Sequence, residues 1–100
     1  MTHRVDIRHF NFVPATVTIF VGDSVEWKNF DGMAHSAFRT EEPAFRTGPL
    51  DRNQISAPQE FNQESPAEGF LYRCDPHLTM IGHIIVLPHE ESGDAADAQR

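Results

Sequence analysis

Apolar and polar positions alternate with a period of two along most of the chain, and no stretch sustains a period near 3.6, so the pattern predicts strands and no helix. Over residues 3–12, Val5 and Ile7 point one way and Phe10 and Phe12 repeat the alternation one position out of phase. The slip at His9 predicts a single strand with a bulge or bend, ended by Pro14. Residues 15–21 put Val17, Ile19 and Val21 on one face, and residues 24–29 put Val25 and Trp27 inward. The turn signal Gly22-Asp23 lies between these two runs, which therefore read as a hairpin. The stretch His35–Arg39 offers a further strand. Residues 40–53, broken by Pro43, Gly48 and Pro49, read as a long irregular crossing loop. Weak strand signals around Ile55 and Phe61 precede a turn at 63–69. Residues 70–74 place Phe70, Tyr72 and Cys74 on one face. The run H-I-I-V-L-P over 83–88 hardly alternates, as in a strand buried on both faces.

Seven or eight short strands separated by turn signals predict an all-β protein, an antiparallel β-sandwich. One hundred residues suit a single domain. It is expected at 1–88, followed by a polar, acidic tail at 89–100 that reads as disordered. The 39% hydrophobic content is enough for one modest core. No apolar run approaches the roughly 20 residues of a membrane span. The formal charge of −7 argues against a nucleic-acid binder and is compatible with steering toward a basic partner. Much of it sits in the tail, where Glu90, Glu91, Asp94 and Asp97 face Arg100 alone. The opening M-T-H-R-V-D-I-R has no apolar signal-peptide region. The expectation is a mature extracytoplasmic form, periplasmic for instance, with a cytoplasmic protein as the alternative.

The candidate chemistry is concentrated in Cys74–Met80, C-D-P-H-L-T-M, which holds the only cysteine. A thiolate, an imidazole and a thioether on one short loop suit copper: the sulfur donors favour Cu(I), imidazole accepts both oxidation states, and the thioether is a weak axial donor. One more histidine is needed, and His35 in D-G-M-A-H-S is the candidate. Taken singly, each residue has a plainer explanation: Cys74 as a buried thiol, Met80 as core filler, His35 as a core histidine. Their combination at this spacing favours metal ligation. His83 is a rival ligand, and His35, Cys74, His77 and His83 would instead make a structural zinc site. His3, His9 and His89 read as surface residues. Glu41 and Glu42 read as a solvated pair.

On three segments the chain resembles the small cupredoxins, the plastocyanin and amicyanin group: F-N-F-V-P-A-T-V-T-I-F-V-G-D-S-V-E-W-K-N, the histidine His35 at the start of a strand, and F-L-Y-R-C-D-P-H-L-T-M-I-G. The Cys-x-x-His-x-x-Met spacing matches amicyanin. The resemblance implies a Greek-key sandwich of about eight strands with one copper ion at one end. It makes His35, Cys74 and His77 the strong ligands and Met80 the axial one. Ser36 stands where the family often has Asn or Thr tying the two ligand loops, and its N–H is expected to bond the Cys74 sulfur. Leu78 stands where proline often follows the second histidine. Pro76 is expected to limit loop motion beside His77.

The expected function is a type 1 copper electron carrier, not an enzyme, with a copper-binding or storage protein as the alternative. A detached domain of a multicopper enzyme is a further reading. The resemblance implies that the edge of His77 reaches the surface through an apolar patch, here Met33, Ala34, Leu78 and Phe10. That patch would dock transiently with protein redox partners, the chain itself being a monomer. His77, on its short loop, is expected to leave the metal and protonate when copper is reduced.

Overall fold

The computed structural model describes residues 1–88, so the expectations for the tail and for His89 lie outside the described residues. Nine strands form two sheets: β1 (Thr2–Arg8), β2 (Asn11–Val13), β3 (Thr16–Phe20), β4 (Ser24–Asn29), β5 (Phe38–Arg39), β6 (Phe45–Arg46), β7 (Gln59–Glu60), β8 (Phe70–Arg73) and β9 (Ile81–Leu87). The first sheet runs β2-β1-β4-β7 and the second β3-β9-β8-β5-β6. The all-β sandwich is thus the fold, with mixed pairing. β1 lies parallel to β4, β3 lies parallel to β9, and the other ladders are antiparallel.

Alternation along each strand supplies the core. Val5, Ile7, Phe12, Val25 and Trp27 face inward from the first sheet, and Ile19, Phe70, Tyr72, Ile84 and Val86 from the second. Trp27 stands at the centre, stacked on Phe45 at 5.2 Å and edge-on to Tyr72 at 5.3 Å.

Four local expectations need correction. The phase slip at His9 is no bulge. Arg8 pairs with Asn11, so β1 and β2 form a tight hairpin whose two turn residues, His9 and Phe10, both have positive φ, 51° and 61°. Such a two-residue turn matches the twist of its strands, but it usually carries Asn-Gly, which is why His-Phe gives no signal. The runs on either side of Gly22-Asp23 are not a hairpin either. β3 belongs to the second sheet and β4 to the first, so the turn carries the chain across the sandwich. Alternation identifies which face of a strand is buried and says nothing about its neighbour. The crossing loop 40–53 contains β6 and contributes Phe45 and Leu50 to the core. Finally, β9 begins at Ile81 and is buried on one face only. Gly82, Ile84 and Val86 are inward, His83 and Ile85 half-buried, Ile81 and Leu87 exposed.

Candidate metal centre

His35 is delivered by the loop that follows β4. The inward register of Val25 and Trp27 continues to Asn29, which is fully buried. Its amide organises the loop: Nδ2 donates to the carbonyls of Met33 (3.0 Å) and Leu50 (2.8 Å), and Oδ1 accepts from the N–H of Asp31 (2.9 Å). His35 then pairs with Leu50 through both backbone bonds, at 3.1 and 2.8 Å. Its side chain is buried.

Cys74 arrives from β8. Phe70 and Tyr72 point into the core, and the next inward position, just past the strand, is Cys74, fully buried and free of any disulfide. The loop closes on itself: Met80 N–H donates to the carbonyl of His77 (2.9 Å), and Cys74 N–H donates to the carbonyl of Met80 (3.2 Å). Met80 is buried and His77 half-buried; Pro76 is exposed, its carbonyl accepting from Leu78 N–H at 3.1 Å.

These two loops bring three donor atoms together. Cys74 Sγ lies 3.6 Å from His35 Nδ1 and 3.7 Å from His77 Nδ1, and all three atoms fall within 4.8 Å of one another. Imidazole and thiolate bonds to a first-row divalent ion, about 2.0 and 2.3 Å long and opened to a trigonal angle, span about 3.7 Å. The donor set therefore fits one ion with two nitrogens and one sulfur. It is the only such cluster of His, Cys, Asp and Glu among the described residues. His83 stands outside it, paired on β9 between Thr16 and Leu71, and a zinc site using His83 finds no support.

Ser36 joins the two loops. Its N–H points at Cys74 Sγ (3.5 Å), and its Oγ donates to the carbonyl of Asp75 (2.9 Å) while lying 3.4 Å from Asp75 N. A residue that sequence reasoning missed stands behind His35. Asp31 Oδ2 accepts from His35 Nε2 at 2.9 Å, and the same carboxylate takes the N–H groups of His9 (2.7 Å) and Phe10 (2.9 Å). Burial works to raise the Asp31 pKa, but the Phe10 and His9 N–H groups and His35 outweigh it and hold the carboxyl below the usual range. The i, i+4 spacing of Asp31 and His35 is a weak signal in a loop. Asn29 was legible as the next inward position of β4.

Of the apolar residues expected near His77, Phe10, Met33 and Leu78 are exposed and Ala34 is half-buried. The Phe10 ring stands edge-on to both imidazoles, 4.9 Å from His35 and 5.0 Å from His77. His9 is exposed. His3 is half-buried, with Nε2 lying 3.0 Å from Asp23, and is not a free surface histidine.

Residues 1–87 match the family described as copper binding proteins, plastocyanin/azurin family. The chloroplastic plastocyanin of Tetradesmus obliquus is 32% identical over 87 residues, an alignment covering 75% of this chain and 57% of that protein. The chain thus spans little more than half the length of that relative. Among solved structures, an oxidised amicyanin variant superposes with a TM-score of 0.76 at 23% identity, covering 86% of this chain and 82% of that one. A reduced amicyanin variant gives 0.75 at 23% identity, over 84% and 80%. At these identities the structural likeness speaks for the fold alone. With the family match across the whole described sandwich and a cluster of two imidazole nitrogens and one thiol sulfur at its end, the chain belongs to the copper-binding plastocyanin/azurin family.

Proposed function

We propose that this protein is a type 1 copper electron carrier that uses His35, Cys74 and His77 as strong ligands and Met80 as the weak axial one. The observation that carries the reading is the separation of Cys74 Sγ from the two Nδ1 atoms, 3.6 and 3.7 Å, at the end of a closed sandwich. A copper ion held there supplies a one-electron Cu(I)/Cu(II) couple. The chain's part is to keep the donors from rearranging between the two oxidation states. His35 is pinned by Leu50 and Asp31, the loop of Cys74 by its bond to Met80, and the two loops to each other by Ser36 and Asp75. The Ser36 N–H lowers electron density on the Cys74 sulfur and so bears on the potential.

The exposed Phe10, Met33 and Leu78, with Ala34, form the face through which His77 meets a protein redox partner. Such encounters are brief and bury less than about 1,200 Å². The protein acts as a monomeric, extracytoplasmic carrier and not as an enzyme. Its sandwich extends over residues 1–88.

A visible and electron paramagnetic resonance spectrum of the copper-loaded, oxidised protein tests this. An intense thiolate-to-copper band with a small copper hyperfine splitting is expected. A colourless protein that holds only Cu(I) identifies a storage role instead, and retained zinc with no visible band overturns the copper reading.

A further inference from the structure

The geometry points to Asp31 as the positioning residue of the centre: one carboxylate fixes the tautomer of His35 and seats the Phe10 ring against both imidazoles. The assignment rests on reading His35 as a ligand. A carboxylate can only accept hydrogen bonds, so the 2.9 Å contact with Asp31 Oδ2 requires the proton of a neutral His35 to sit on Nε2. Nδ1 then keeps its lone pair, and Nδ1 is the atom that lies 3.6 Å from Cys74 Sγ. Without the acceptor, a proton on Nδ1 would face the sulfur, and the pair would become a Cys–His hydrogen bond instead of two open donors. The His35 side chain is fully shielded from solvent, so with Asp31 in place its carboxylate, not water, is the partner of Nε2.

The second half of the inference lies in the turn between β1 and β2. His9 and Phe10 hold left-handed backbone conformations that side chains larger than glycine seldom adopt. Their two N–H groups are taken by Asp31 Oδ1 and Oδ2, at 2.7 and 2.9 Å. Held this way, the turn carries the Phe10 ring to 4.9 Å from His35 and 5.0 Å from His77, at interplanar angles of 86° and 81°. A single carboxylate therefore ties the hairpin to the histidine of the first ligand loop, and the Phe10 ring that it seats reaches the histidine of the second.

The test compares the wild-type chain with Asp31→Asn and Asp31→Ala. The tautomer of His35 is read by nitrogen-15 NMR on metal-free protein, and Cu(II) affinity by chelator competition. Wild-type His35 is expected as the Nε2–H form. Asn offers one acceptor oxygen, too few for His35 and both turn N–H groups, so Asp31→Asn is expected to mix the tautomers. Loss of such a partner typically weakens metal binding about 10–100-fold, and Asp31→Ala is expected in that range. Should Asp31→Ala not fold, the near-isosteric Asp31→Asn carries the comparison. A purely structural role would lower unfolding stability and leave the tautomer unchanged. Nδ1–H His35 in the metal-free wild type overturns the assignment, as does a tautomer and affinity unmoved by Asp31→Asn. A wild-type chain that takes up no copper defeats the ligand reading, and the metal-free tautomer still decides the role of Asp31.

Discussion

The indole N–H of Trp27 donates a 3.0 Å hydrogen bond to the hydroxyl of Tyr72, joining the two sheets through the middle of the core. Both residues are buried, and burial pushes the Tyr72 phenol well above its ordinary pKa, with the bond from Trp27 working the other way. Tyr72→Phe keeps the ring and removes the acceptor, leaving a buried donor alone. The expected loss is about 1–3 kcal/mol of unfolding free energy, measured by denaturant titration, with the copper spectrum retained. A variant as stable as the wild type would mean that the bond contributes nothing.

Tyr72 also explains a glycine. Tyr72 and Gly82 are paired across β8 and β9, and the Tyr72 ring lies over position 82 so closely that a Cβ there would overlap it. Gly82→Ala is expected to destabilise by about 1–3 kcal/mol, the usual range for overpacking. The cost should shrink in a Tyr72→Leu background, because the two sites share one space. Thermal melts of the four proteins in the cycle decide this, and strictly additive shifts would contradict it.

At the sheet-crossing turn, Asp23 is held at about 2, against an ordinary 3.8. The hydrogen bond with His3 is the largest cause; burial opposes it, and the Phe20 N–H and the Met1 amino group reinforce it. A folded-state value below the unfolded one stabilises the protein at pH above about 4 and loses that stabilisation as pH falls toward about 2. Asp23→Asn is expected to cost on the order of 1 kcal/mol at neutral pH. The gap from wild type should close between about pH 4 and about pH 2 in acid-unfolding curves. A gap that stays constant across that range would sink the assignment.

Replacing the proposed ligands separates their roles. Cys74→Ala is expected to abolish the visible band, since the thiolate is its source. Met80→Leu is expected to keep a coloured site and raise the reduction potential, because removing a weak donor favours Cu(I). Spectroelectrochemistry of both variants reads the result. A blue Cys74→Ala protein would show that the sulfur donor is misassigned.

Strands were legible where a single face is buried: Val25 and Trp27, or Phe70, Tyr72 and Cys74, announce their alternation without help from partners. The donor loop was legible because its residues are close in sequence. What sequence left hidden was who pairs with whom. Val17, Ile19 and Val21 show an apolar face but not that β9 lies beside them, and His9-Phe10 gave no turn signal because its strain is offset by a carboxylate more than twenty residues away. Asp31 escaped notice for the same reason, since its three partners lie on the hairpin turn and on His35.

The passage of the chain from one sheet to the other at Gly22-Asp23 bears on when the centre can assemble. β3 finds its partner in β9, with Thr16 opposite His83, and the Cys74–Met80 loop is strung between β8 and β9. Neither can be completed while β9 is unmade. Pairings this remote along the chain form late and slowly. A chain truncated before Ile81 is therefore expected to lose the centre even though every proposed donor is still present, and metal loading is expected only of the finished sandwich.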